Sequence, residues 1–259
     1  PESVDMRSYK PAFAGDLTQI ERAVAAMLVA KKPVFYVGGG VILASAWEQL
    51  RTLVKALGAP VASTLMGLGA FPGTDPLSLG MLGMHGTYEA NMAMDGADLV
   101  IALGARFDDR VTNNPEKFSP KATIIHMDVD AASINKIIDA DIPLHGDGSW
   151  VLEQLSTRLV EAIKDEGDTA AQARTQGLEA WWQQINEWRA ANGLNHNLKA
   201  QAGKPILPQL AIQSLYKVTE GEAFVCSDVG QHQMFAAQYY HFAEPRRWIN
   251  SGGLGTMGF

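Results

Sequence analysis

The sequence predicts an α/β protein: a parallel, Rossmann-like sheet of five or six strands with helices on both faces, followed by a shorter α/β unit that reads as incomplete. Three observations carry this expectation. Over residues 16–165, short and uniformly apolar runs alternate with amphipathic patterns of helical period. Most of those runs end in glycine or aspartate, as strands do where a parallel sheet meets its ligand. From residue 204 the alternation resumes but supplies only two strands and two helices, too little for an independent core of ordinary size.

Taken in order, Asp16 stands where it can cap the amphipathic helix "LTQIERAVAAMLVA", and "PVFYVGGG" is a strand running into a glycine turn. Helix "AWEQLRTLVKAL", strand "APVAST" and helix "TYEANMAMDGA" follow. Next come strands "DLVIALGA" and "ATIIHMDVD", a short helix in "AASINKIID", strand "DIPLHGD" and a closing helix "SWVLEQLSTRLVEAI". Strands this apolar are buried on both faces, which requires helical crossovers, and these are right-handed. Residues 1–15 read as a connector arriving from an upstream domain and 16–165 as the central domain. Residues 166–203 read as a polar linker carrying the helix "LEAWWQQINEWRAANG", whose Trp181, Trp182 and Trp188 suit packing between domains better than a ligand platform. Residues 204–259 hold helix "PILPQLAIQSLYKVT", strand "EAFVCSD", helix "HQMFAAQYY" and strand "RRWIN", the truncated start of a further domain.

Composition excludes several functions. With 47% hydrophobic and 19% charged residues the chain is globular, and a net charge of -7 without a basic block gives no footprint for nucleic acid or an anionic membrane. The expected partners are small molecules and protein subunits. A single cysteine, Cys226 in the apolar run "AFVC", permits no internal disulfide, reads as a core thiol, and points with the lack of a signal-peptide pattern to the reducing cytoplasm. No run reaches the roughly 18 to 20 apolar residues that span a bilayer.

Several motifs can carry chemistry. In "YVGGGVILA", Gly38 and Gly40 fit part of a dinucleotide fingerprint, but Leu43 takes the third glycine position; a phosphate-binding helix start and a plain tight turn both remain open. "LGARFDDRVT" gathers Arg106, Asp108, Asp109 and Arg110 behind Gly104 at a strand end, where arginine can grip a phosphate or the four can neutralise one another at the surface. Asp128 ends another strand, at a position suited to ribose hydroxyls. In "GMLGMHGT", Gly83 and Gly86 flank Met84 and His85 and would let a flat ligand approach the backbone, whereas His85 by itself reads as structural. "HGDGS" imitates a diphosphate–metal motif, but the asparagine expected roughly 25 to 30 residues on is missing, so Asp147 is read as a second strand-end acid and no metal ligand is assigned. In "SDVGQHQMF", Gln231 and His232 open a helix as a possible diphosphate clamp, with a helix cap by Asp228 as the plain alternative. The terminal "GGLGTMGF" is a close-approach loop in which Met257 could support a bent ligand.

In combination these motifs are distinctive. "YVGGG", "LMGLGAFP", "GMLGMHGTYEAN", "GARFDDRVTNN", "IIHMDVD", "SDVGQHQMFAAQYY" and "RRWINSGGLGTMGF", in this order, resemble the catalytic large subunits of the acetolactate synthase (acetohydroxyacid synthase) family. The resemblance implies a three-domain subunit using thiamine diphosphate, Mg²⁺ and FAD in branched-chain amino-acid biosynthesis. Such enzymes decarboxylate pyruvate and join the two-carbon unit to a second 2-oxo acid, pyruvate or 2-oxobutyrate; the flavin has no redox role in the net reaction. It further implies an assembly of catalytic subunits with a possible small regulatory subunit.

By position, FAD would meet Gly38, Gly39, Gly40, Thr64, Leu65, Met66, Gly83, Met84, His85, Gly86, Gly104, Arg106, Asp108, Arg110, Val111, Asp128, Val129 and Asp147. Thiamine diphosphate would meet Gln231, His232 and Met257. The glutamate that activates the thiamine cofactor and the true metal motif have no counterpart in these 259 residues, so they are expected to retain the fold of the FAD domain without synthase activity. Two other expectations stand beside this one: a related thiamine-diphosphate and FAD enzyme such as a pyruvate oxidase, or a nucleotide-binding module without catalysis.

Overall fold

The computed structural model of the protein describes residues 13–259, so most of the connector expected over 1–15 lies outside the described residues. The first unit opens with α1 (Leu17–Val29), capped by the Asp16 carboxylate, which accepts the Thr18 N–H at 2.8 Å. It continues through β1 (Pro33–Val37), α2 (Gly39–Leu43), α3 (Trp47–Leu57), β2 (Val61–Ser63), β3 (Ser78–Met81), α4 (Tyr88–Gly96) and β4 (Leu99–Leu103). The short α5 (Asp109–Thr112), β5 (Thr123–Asp128), β6 (Ile142–His145), α6 (Gly148–Lys164) and α7 (Asp168–Asn192) complete it. The sheet has six strands in the order β3-β2-β1-β4-β5-β6, and every neighbouring pair is parallel. The chain builds outward from β1 to β3, then returns to place β4 on the other side of β1. The two crossover directions diverge there, which makes the carboxyl ends of β1 and β4 the switch point at which open sheets of this kind form their ligand crevice.

Strand residues alternate between two cores, as the period of a strand demands. Phe35, Val37, Ile101, Leu103 and Ile125 face α1, α3 and α6, while Val34, Tyr36, Val100, Ala102 and Ile124 face α4 and α7. This two-sided burial is what makes the strands apolar at every position.

Four local expectations are corrected. The segment 131–139 forms turns and no helix: Asn135 adopts φ +60°, and its side chain accepts the Ala140 N–H at 2.8 Å, closing the turn that a helix would have had to pass through. The edge strand β3 was not anticipated, because its Gly80, at φ +79°, interrupts the apolar run. The polar stretch after residue 166 is the first half of α7, one 25-residue helix. It is anchored at its start by the partly buried Arg174–Glu166 ion pair and along its length by Leu178, Trp181 and Ile185 on one stripe. Its tryptophans pack on the first unit and not between units. Trp181 and Trp182 donate their indole N–H groups to Pro33 O at 3.2 Å and Gly58 O at 2.9 Å, and the Trp188 ring meets Trp181 edge-on.

The second unit comprises α8 (Pro208–Thr219), β7 (Val225–Ser227), α9 (Gln231–Tyr239) and β8 (Trp248–Asn250), with β7 and β8 paired in parallel. Cys226 is exposed, correcting its reading as a core thiol: on this two-stranded pair it points away from the apolar cluster that α9 covers. That cluster is the seam between units, where Leu68 and Met81 meet Ala236, Ala237, Tyr240, Phe242 and Trp248. Backbone and charge reinforce it. The Gly73 N–H donates to Phe242 O at 2.9 Å, and the Arg51 guanidinium donates to Ala243 O at 3.1 Å.

Two glycines with positive φ separate conformational cost from collision. A Cβ at Gly58 (φ +73°) would meet nothing within 4 Å, whereas one at Gly104 (φ +58°) would lie 2.7 Å from the Gly40 Cα. Gly58→Ala is expected to cost about 1 kcal/mol. Gly104→Ala adds an overpacking penalty of about 1–3 kcal/mol. Urea unfolding of both variants checks the difference; equal costs would show that the backbones can part.

Candidate functional site

The crevice is built on backbone contact. The N–H groups of Gly38 and Gly40 donate to Leu103 O at 2.9 Å and to Gly104 O at 3.0 Å, so the ends of β1 and β4 touch without side chains between them. A Cβ at Gly38 would lie 2.1 Å from Gly104 O. The glycine turn therefore spends these two donors on β4. Gly39 faces Met66, and Thr64 caps the 3-10 turn Leu65–Gly67 through its hydroxyl, which accepts the Gly67 N–H at 3.0 Å. Leu65 leans on the seam cluster.

Beyond Gly104 the chain turns sharply. Phe107 is buried at φ +54°, while Arg106 points outward with 68% of its side chain exposed and pairs with Asp108. Asp108 also caps α5 by accepting the Arg110 N–H at 3.1 Å. Burial alone would raise the Asp108 carboxyl, but the Arg110 N–H, together with Asp109 and Arg106, outweighs it and holds the group below the usual carboxylate range. Both open readings of this motif thus have a structural basis: an internal ion pair is formed, and the guanidinium remains accessible.

The loop 83–86 lies against this turn, with the Met84 N–H donating to Arg110 O at 2.8 Å and Gly83 leaving room for Arg110 and Val111. Asn91 on α4 clamps the loop from behind. Its amide accepts the Gly83 N–H at 2.8 Å and donates to Gly83 O at 2.9 Å. No residue-level signal singled out Asn91; only its place inside the "GTYEAN" motif pointed to it. His85 presents its carbonyl to Gln238 of α9 at 2.8 Å, and Gly86 folds back onto Leu82, where a Cβ could not fit.

On the far side, Asp128 accepts the Asp130 N–H at 2.9 Å and Val129 is exposed. Asp147 is committed elsewhere: one carboxylate oxygen caps α6 by accepting from Ser149 N–H at 2.9 Å, Ser149 Oγ at 2.6 Å and Trp150 N–H at 3.3 Å. The Ser149 hydroxyl is the main cause holding its carboxyl low.

Met66, Met84 and Val129 are all exposed on the loops around this crevice. A glycine floor, an apolar rim and an accessible guanidinium fit a ligand with a flat ring system and a phosphate.

In the second unit Gln231 and His232 are exposed at the start of α9, whose cap is Gly230 and not Asp228. Asp228 instead accepts the N–H groups of Val229 at 2.5 Å and Gly258 at 2.7 Å, which draws the terminal loop carrying the exposed Met257 toward α9. The two groups of residues approach each other at Met66, since a Cβ at Gly252 would lie 2.5 Å from the Met66 sulfur. Among the described residues no three His, Cys, Asp or Glu side chains are grouped to hold a metal ion, and no helix is long and apolar enough to cross a membrane.

His126, fully buried behind the crevice, is pushed below its ordinary value of 6.5 by burial, against the opposing effects of its contact with Ala105 and the charge of Asp128. The unfolded chain therefore takes up this proton first. Stability is complete above pH 6.5 and falls as pH drops below it, by at most about 1.4 kcal/mol per pH unit from this group. Urea midpoints between pH 7 and pH 5 check this. His126→Phe is expected to flatten the slope, and an unchanged slope would refute the assignment.

A family model described as "Thiamine pyrophosphate enzyme, central domain" matches residues 20–155, and one described as "Thiamine pyrophosphate enzyme, C-terminal TPP binding domain" matches residues 228–259. The chain is 54% identical over 259 residues to "Acetolactate synthase isozyme 3 large subunit" of Escherichia coli (strain K12) and 50% identical over 260 residues to "Acetolactate synthase large subunit" of Haemophilus influenzae. Both alignments take in 100% of this chain and 43% of the relative. It is also 46% identical to "Acetolactate synthase 1, chloroplastic" of Nicotiana tabacum over 93% of this chain and 34% of that protein. With more than half of its length matched by the central-domain model, and with the fold and switch-point crevice described above, the chain belongs to the thiamine pyrophosphate enzyme family.

Proposed function

We propose that this chain is the flavin-holding part, and the opening of the thiamine-diphosphate domain, of an acetolactate synthase. The observation that carries the reading is the crevice between β1 and β4, floored by Gly38, Gly40 and Gly104 and rimmed by Met66, Met84, Val129 and Arg106. Identity at about half of all positions along the full chain supports the same activity. In this reading Arg106 would meet the diphosphate of FAD, and Met84 and Met66 would support its ring system. Asp128 accepts from a hydroxyl of the nucleotide. Thiamine diphosphate, which supplies the electron sink for decarboxylation, would be held by Gln231 and His232 and supported by Met257.

The residues of this chain bind, orient and exclude water, and no proton transfer is assigned to any of them. The reaction is decarboxylation of pyruvate and transfer of the two-carbon unit to pyruvate or 2-oxobutyrate. Mg²⁺, used beside thiamine diphosphate, is assigned to no residue of this chain. Catalytic subunits would assemble with one another and with a small regulatory subunit, in the cytoplasm.

Titration of the purified chain with FAD, followed by flavin fluorescence, is expected to saturate at one equivalent. Arg106→Ala should weaken binding by about 10- to 100-fold, as expected for a lost charged hydrogen bond. Lys121→Ala, at the opposite end of β5, should leave it unchanged. Equal affinities for the two variants would remove Arg106 from the site, and no saturable binding by the wild type would remove the flavin reading.

A further inference from the structure

The accessible Arg106 is held by little of its own. Its side chain is mostly exposed, and its one ionic partner among the described residues, Asp108, belongs to the same turn. The orientation of the guanidinium must therefore come from the backbone on either side of it, at Ala105 and Phe107. Both of these residues are buried, and both are held by His126. The imidazole Nε2 lies 2.9 Å from Ala105 O. A carbonyl can only accept, so Nε2 carries the hydrogen, and Nδ1 is left as a lone pair with no partner among the described residues. The same ring stands edge-on to Phe107, 4.8 Å between centroids, while Tyr36 and Phe118 enclose Phe107 at 5.3 Å and 5.7 Å. Phe107 has φ +54°, a conformation that a bulky residue keeps only where its surroundings enforce it.

We propose that His126 is the positioning residue of this site: by donating Nε2–H to Ala105 O and seating the Phe107 ring, one buried side chain fixes both neighbours of Arg106 and so presents the guanidinium to the crevice. His126 touches no ligand and acts only through the turn. An aromatic substitute would fill the same space but release the Ala105 carbonyl, whereas glutamine carries an N–H donor at nearly the reach of Nε2. The proposal rests on the flavin reading for its consequence, and on the turn alone for its geometry.

The test compares wild type, His126→Phe, His126→Gln and, as a control on the same strand but the opposite face, Ile125→Val. FAD titration, thermal unfolding and amide hydrogen exchange of residues 104–110 are measured for each. His126→Phe is expected to weaken FAD binding about fivefold to tenfold and to speed exchange in the turn, as loss of one orienting hydrogen bond implies. His126→Gln should recover most of both. Ile125→Val should lower the unfolding temperature and leave affinity and turn exchange unchanged. Wild-type affinity in a folded His126→Phe, or equal losses in the Phe and Gln variants, would overturn the proposal. If wild type binds no FAD, the flavin reading fails, and the positioning role is decided by hydrogen exchange alone: unchanged exchange in His126→Phe refutes it. Should His126→Phe not fold, Phe107→Leu, which removes the ring contact from the other side, must reproduce the loss; an unaltered turn in that variant would equally overturn the role.

Discussion

Where β1 and β4 end, backbone meets backbone. Gly38, Gly40 and Gly104 pack so closely that a Cβ on any of them would lie less than 3 Å from a backbone atom of the neighbouring segment. The rest of the site depends on this contact. It draws the two strand ends together at the point where the sheet reverses its direction of growth, so the loops after β1 and β4 open onto one crevice. It also consumes the Gly38 and Gly40 N–H groups, leaving an anion brought there to other donors such as the Arg106 side chain. Glycine serves here by lacking a side chain more than by offering a donor.

Everything behind that contact is arranged to keep it rigid. Three helices cover one face of the sheet, and the second face is closed by α4 with the long α7, which returns to the start of β1 through the Trp181 indole. On this second face lie Tyr36, Phe107 and His126, polar or aromatic groups in a setting that penalises charge. Burial raises the Tyr36 hydroxyl and lowers the His126 imidazole, and both shifts favour the neutral form. A neutral, well-packed cluster can support an exposed charged turn without itself competing for a ligand.

The two units are joined by a seam that is apolar at its centre and polar at its edges. Tyr240, Phe242 and Trp248 form a run of tilted rings against Leu68 and Met81, flanked by the Arg51 contact to Ala243 and the Gln238 contact to His85. The seam ties loop 83–86, at the flavin crevice in the proposed reading, to the helix that begins with Gln231 and His232. The site residues of the two units are therefore not independent: Met66 lies between the Gly39 turn and the glycine loop that follows β8.

The sequence by itself determined the class of fold, the order of nearly all its strands and the family, because these follow from information local in the chain: runs buried on both faces are apolar at every position, and the glycine and acid motifs fall at strand ends in a distinctive order. What only the tertiary structure decided are the contacts between distant segments. The glycine turn gives its N–H groups to β4 and the tryptophans of α7 belong to the first unit, Trp181 meeting Pro33 across 148 positions. Asn135 and Cys226 show the same limit on a smaller scale, with a left-handed turn and an open strand face taking the place of a helix and a core thiol, while the helix cap made by Asp147 is a contact its strand-end position did not specify. Residue type constrains what a side chain can do. Which of its possible partners it meets depends on packing against segments that the local pattern does not specify.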